Sequence, residues 1–151
     1  NGYKSVGNLF SKGNIQFDHL EVIIRAYITK YYKVYSGEES LFIQSWPNEY
    51  FLDGWYIRLL QGGEISAHTH SAWISGILYL KLPNKNNGNE GNIEFTLCGY
   101  DLPVIKDNYP RKMVKTEPGM LVLFPSSLPH RVIPFTSDEE RVCLPFDIIP
   151  K

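Results

Sequence analysis

Three of the four histidines in this 151-residue chain fall in two short segments, Ala67-His68-Thr69-His70 and Phe124-Pro125-Ser126-Ser127-Leu128-Pro129-His130, and Arg141 follows after a short gap. On a strand, side chains alternate between faces, so His68 and His70 project to one side while Thr69 points to the other. Two imidazoles therefore start side by side. His130, far off in sequence, is where a partner strand would supply a third ligand. The pattern is that of a metal site inside a β-barrel, and imidazole suits zinc, copper, iron or nickel. A guanidinium close to such a site would hold an acidic ligand.

The rest of the chain has the strands to build that barrel. From Trp55 onward, short β-rich runs alternate with Gly, Pro and Asn: Trp55 to Gln61, Ile74 to Leu82, Asn92 to Cys98, Met120 to Phe124 and Arg141 to Ile148. The spacing predicts a mainly β fold of the sandwich or jelly-roll kind. In the last run Val142, Leu144, Phe146 and Ile148 share one face, and Arg141, Cys143, Pro145 and Asp147 share the other. The first set is apolar and needs a cover. The second would line the barrel interior, where an arginine is costly unless paired. Upstream, Asp18 and Glu21 read as a capping box, and Leu20, Ile24, Tyr27 and Tyr31 recur at helical spacing. This predicts an amphipathic helix near residues 17 to 35, packed on the outside of the sheet.

A chain of this length, 43% hydrophobic and 14% aromatic, supports one good core, so residues 1–151 read as a single domain. It begins at Asn1 rather than methionine, which fits a domain excised from a longer protein. A net charge of −1 with mixed signs argues against nucleic acid as a partner. No apolar run approaches a membrane span and no secretory signal opens the chain, so the expectation is a cytoplasmic protein without membrane contact. Cys98 and Cys143 are too few for a disulfide framework and are read as free thiols.

Three stretches carry a resemblance: Tyr56-Ile-Arg-Leu-Leu-Gln-Gly-Gly-Glu-Ile-Ser-Ala-His68-Thr-His70; Pro118-Gly119-Met-Leu-Val-Leu-Phe124-Pro125 followed by Leu128-Pro129-His130-Arg131-Val132; and Arg141-Val-Cys-Leu-Pro-Phe-Asp147. Together with Ser75 to Leu80 and Gly91 to Phe95 they resemble the iron(II)/2-oxoglutarate-dependent oxygenase superfamily in order and spacing. The opening Gly2-Tyr3-Lys4-Ser5, with Asn8-Leu9, resembles a branch in which a second histidine replaces the aspartate of the usual His-x-Asp motif. The resemblance implies a double-stranded β-helix, the cupin-like jelly roll. It also implies iron(II), or another divalent metal, on His68, His70 and His130, with Arg141 anchoring 2-oxoglutarate. Tyr79 and Tyr56 stand where relatives often place hydroxyls that support the cosubstrate. The implied reaction couples oxidative decarboxylation of 2-oxoglutarate to substrate oxidation, hydroxylation by default.

A histidine at position 70 leaves the metal site one unit more positive than an aspartate would. Three arrangements are open: His70 ligates, it yields to water, or a carboxylate such as Glu94 enters from another strand. Glu64 shares the His68 face but lies about 13 Å away along a strand. Bland readings stand beside these. Arg141 would form an ion pair with Glu139 or Glu140; Tyr79 and Trp73 would be packing aromatics; His19, on the helix, would be exposed. Gly62 before the histidine pair, with Pro118, Pro125 and His130, also resembles the cupin motifs, whose members include isomerases, dioxygenases and non-catalytic binders. That reading lacks the cupin glutamate after the second histidine and leaves Arg141 unexplained. A three-histidine zinc hydrolase has only the histidines to support it. Lys85 to Asn92, in a Pro83 to Asn92 stretch with the composition of a mobile loop, and Tyr100 to Lys115, with Tyr109, Arg111 and Lys112, are the expected rim. They suit a small-molecule or peptide substrate. Substrate identity and oligomeric state are not legible.

Overall fold

The computed structural model describes residues 1–11, 13–85, 88–97 and 109–151. Helix α1 spans Ile15–Tyr35 and begins where the Asn14 side chain accepts a hydrogen bond from the Gln16 N–H, the usual N-cap arrangement. Asp18 and Glu21 are not a capping box: Glu21 instead bonds Arg25 one turn on. The buried stripe consists of Ile24 and Ile28, flanked by Phe17, Leu20 and Tyr31. Tyr27, expected on that stripe, is exposed, because the 3.6-residue pitch turns position 28 inward beside position 24. A short helix, α2 (Leu41–Gln44), adds Phe42 and Ile43 nearby.

Among the described residues, ten strands follow the barrel plan. One sheet contains β1 (Gly2–Lys4), β2 (Tyr50–Gly54), β3 (Ile57–Leu59), β5 (Ile74–Lys81), β8 (Leu121–Pro125) and β10 (Arg141–Pro150). The second contains β4 (Ile65–His68), β6 (Ile93–Thr96), β7 (Arg111–Val114) and β9 (His130–Val132), in the order β4-β9-β6-β7. Every pairing is antiparallel. The fold is thus the jelly roll expected from the strand pattern. The strand expected from Trp55 to Gln61 shrinks to β3, and Gly2, Tyr3 and Lys4 of β1 pair with it.

β10 is the spine of the molecule. It bonds β5 on one side and, in succession, β3 and β2 on the other. Its two faces divide as the alternation requires. Leu144, Phe146 and Ile148 join Ile24, Ile28 and Leu52 in the core beneath α1. Arg141, Cys143, Pro145 and Asp147 border the interior cavity. A second core, between the sheets, contains Ile77, Tyr79, Ile93, Phe95 and Phe124. Gly76 faces Phe146 across the β5–β10 ladder, where a Cβ would run into the phenyl ring.

The described part of the Pro83 to Asn92 stretch is exposed at Asn84, Gly88 and Asn89 and anchored by buried residues at Glu90 to Asn92. Asn92 is fully buried, and its Oδ1 accepts from Lys85 Nζ, the Thr116 N–H and Thr116 Oγ1. An amide that bonds three donors stitches the turn to the strand that follows. Cys98 and positions 100 to 108 of the expected rim lie outside the described residues; Arg111 and Lys112 are exposed on β7.

Candidate metal and cosubstrate site

β4 ends at His68, and His70 sits just beyond it, its N–H bonded to the Ser126 carbonyl at 3.0 Å. The premise that both histidines share a strand is therefore corrected, although their side chains still meet. His68 lies opposite His130 in the β4–β9 register, so a distant residue in sequence becomes a cross-strand neighbour. One donor nitrogen from each of the three rings falls within 4.8 Å of the others, and His68 Nε2 and His70 Nε2 are 3.1 Å apart. Metal–nitrogen bonds of about 2.1 Å bring neighbouring donors to about 3 Å, so the spacing suits a common ion.

The tautomers are set by what each ring leans on. His68 Nδ1 lies 2.8 Å from the Ser66 carbonyl and His130 Nδ1 lies 3.1 Å from the Leu128 carbonyl. A carbonyl only accepts, so in the neutral rings both Nδ1 atoms carry the proton and both Nε2 lone pairs are free. His70 Nδ1 meets Asp147, 2.9 Å from each carboxylate oxygen, with the same result. Burial pushes the His130 imidazole down to about 4, against a smaller opposing effect of the Leu128 carbonyl, and it also lowers His68. Both are neutral and ready to ligate at ordinary pH. Phe124 and Phe95 pack against the His130 ring, and Trp55 lies 5.7 Å from that of His70.

Arg141 borders the same cavity, of about 990 Å³, as the three histidines. It is fully buried. Its Nε donates to the Gly91 carbonyl and its Nη1 to Cys143 Sγ, while Nη2 has no partner among the described residues. The alternative of a surface ion pair does not hold: Arg141 is buried, Glu140 binds Arg58 and Glu139 binds Asn84. Tyr79 stacks beside the guanidinium, 5.2 Å from ring centroid to Cζ, and its hydroxyl is also buried without a hydrogen-bond partner among the described residues. Burial raises that hydroxyl's pKa, opposed by the arginine charge. A sealed guanidinium with a vacant donor, beside an unused hydroxyl, fits a ligand carboxylate.

Other expected residues fall elsewhere. Tyr56 packs against the core beneath α1, with its ring 6.3 Å from Tyr3, outside the cavity lining; its backbone lies in the turn before β3. Glu94 bonds Arg131 at 2.9 Å and stands outside the histidine group, because on β6 its side chain alternates away from the interior while Phe95 points in. Trp73 stacks on Phe42 in the outer core. Glu64 does line the cavity, at its exposed edge, and His19 is exposed on α1. Sequence reasoning overlooked Asp147, Ser75 and Trp55. Asp147 sat on the inward row of its strand, which was the only available signal.

Comparison with known proteins adds to this geometry. Residues 53–147 match the sequence profile of a family described as "Putative 2OG-Fe(II) oxygenase". The chain belongs to this family. The family's description names iron(II) and 2-oxoglutarate, and its class is that of the oxidoreductases. Among solved structures, it is similar to a Pseudomonas putida prolyl-4-hydroxylase, with 14% identity, a TM-score of 0.61, and coverage of 99% of this chain and 71% of that one. It is also similar to HygX from Streptomyces hygroscopicus with nickel, 2-oxoglutarate and hygromycin B bound, with 12% identity, a TM-score of 0.52, and coverage of 68% and 57%. A 2OG-Fe(II) oxygenase-family oxidoreductase from Burkholderia pseudomallei shows 15% identity, a TM-score of 0.52, and coverage of 71% and 46%. At these identities the likeness establishes the jelly roll, and this chain spans about half the length of the last two. No functionally curated protein matches the sequence. No helix among the described residues is long and apolar enough to cross a membrane.

Proposed function

We propose that the protein hydroxylates a small molecule or peptide, with His68, His70 and His130 holding iron(II) through Nε2 and Arg141 gripping the distal carboxylate of 2-oxoglutarate. The observation that carries this reading is the buried, incompletely bonded Arg141 in the cavity that the histidines share. It also favours the oxygenase over the cupin motifs, which leave Arg141 unexplained; a binder of an acidic ligand is told apart by the test below. Iron(II) with 2-oxoglutarate and dioxygen supplies oxidative decarboxylation of the cosubstrate coupled to oxidation of the substrate.

The chain's own part is to hold and to exclude. Three Nδ1–H bonds fix the imidazole planes, so the Nε2 lone pairs converge without reorganisation when the ion arrives. The Arg141 Nη2 and the Tyr79 hydroxyl supply two donors for one carboxylate. Phe95, Phe124 and Trp55 surround the rings with apolar surface and limit water there. Tyr3 and Lys4 of β1 line the mouth, with Lys4 Nζ 4.4 Å above the Trp55 ring, and are the described residues best placed to meet a substrate. A cytoplasmic, reducing setting accords with the free buried thiol of Cys143 and with a ferrous ion.

The test is an anaerobic titration of metal-stripped protein with iron(II) and then 2-oxoglutarate. A visible charge-transfer band from the chelated keto acid, lost on admitting oxygen as succinate forms, is the expected result. Metal binding without a band would transfer the protein to the cupin-like binders.

A further inference from the structure

We propose that Asp147 is a positioning residue which returns to the metal, through His70, the negative charge that a carboxylate ligand at position 70 would have supplied. The inference rests on the three-histidine reading above and explains how that site tolerates a neutral ligand.

The three Nδ1 atoms do not have equivalent partners. Those of His68 and His130 face main-chain carbonyls, which are neutral. That of His70 faces a carboxylate, and its distance to both oxygens is 2.9 Å, so the N–H points between them. A carboxylate on the far nitrogen makes an imidazole a stronger donor at the near one and fixes its plane.

Asp147 is held for this task. Ser75 Oγ donates to Asp147 Oδ1 at 2.6 Å. With its proton so used, Ser75 can only accept at its 2.8 Å contact with Ser126 Oγ, which makes Ser126 the donor there. Both serines are buried, and the Ser126 carbonyl receives the His70 N–H, which closes the ring of contacts. The Ser75 hydroxyl and the His70 ring are thus the described side-chain partners of the Asp147 carboxylate.

No lysine or arginine neutralises it: among the described residues His70 is its one ion-pair partner. Arg141 lies six residues away along β10, on the order of 20 Å, and does not reach it. A mostly buried carboxylate without a cation is unfavourable unless an opposite charge arrives. A divalent ion on the other side of His70 is that charge. The two ends of the interior row on β10 thus carry opposite unmet charges, Asp147 behind the histidines and Arg141 at the other end.

The test measures metal affinity by chelator competition, and the reduction potential of bound iron, in the wild type, Asp147→Asn, His70→Asp and the double variant. Asp147→Asn keeps the shape and removes the charge. It is expected to weaken metal binding by about 10- to 100-fold and to raise the potential. In the His70→Asp background the sign should reverse, because two carboxylates then crowd together and Asp147→Asn relieves them. A purely structural role would not reverse sign. Wild-type metal binding with unchanged affinity and potential in Asp147→Asn would overturn the inference and leave the oxygenase reading standing. A wild type that binds no metal would overturn both. If Asp147→Asn fails to fold by circular dichroism, Ser75→Ala takes its place: severalfold weaker binding is expected as the carboxylate loosens, and unchanged binding refutes the idea.

Discussion

A guanidinium shut away from water without a carboxylate beside it is an unfavourable thing to fold around, and Arg141 is in that state when no ligand is present. Arg141→Met keeps most of the volume and removes the charge. The ligand-free variant should therefore melt no lower than the wild type, while 2-oxoglutarate affinity falls by on the order of 100-fold and iron binding is retained. Calorimetry and anaerobic titration read the two effects separately; a lower melting temperature would make Arg141 structural. The inward direction of Arg141 was legible from strand parity alone, and the histidine pair from its spacing. The role of Asp147 was not, since parity says which face a residue takes and nothing about which side chain of another strand stands opposite. Tyr56 shows the converse: its place in a motif suggested a role that its backbone position, in a turn outside the cavity, does not give it.

At the scale of elements, β10 makes the fold and the site one problem. Its outer row seals α1 to the sheet, so a disturbance there reaches the inner row through the same backbone. Gly76→Ala drives a Cβ into the Phe146 ring and should cost about 1–3 kcal/mol in urea denaturation. Phe146→Leu in the same chain should recover part of it, and additive losses would show that the two positions do not meet. The main strands were readable because long apolar runs carry period-two patterning over many residues. The short strands β1, β2 and β7 were not, because three to five residues with mixed burial hold too little pattern to stand out. Asn14 was missed as the cap for a related reason: Asp18 and Glu21 offered the same local chemistry one turn later, and only the course of the chain into the helix decides between them.

For the molecule as a whole, the site couples folding to acidity. The His130 imidazole titrates at about 4 in the fold, because burial disfavours its charged form, and near 6.5 when unfolded. The unfolded chain therefore binds more protons between these values. The stabilisation is fully present above pH 6.5 and is lost as pH falls towards 4, by about 3 kcal/mol for this residue. His68 shifts in the same direction. Denaturation of the metal-free protein across this range should show the decline, and His130→Gln should flatten it; an equal slope in the variant would assign the acid sensitivity elsewhere. Bound metal should steepen the wild-type profile, since protons and the ion compete for the same nitrogens.

Two of the three candidate ligands lean on main-chain carbonyls, which every amino acid possesses. No substitution at Ser66 or Leu128 deletes those acceptors, so point mutation has little purchase on the orientation of His68 or His130. Only His70 rests on a side chain. Heritable variation in the electronic surroundings of the metal is thereby funnelled to position 147 and its two serines, which makes this small cluster the place where descendants of this chain would diverge in metal preference while keeping the same fold.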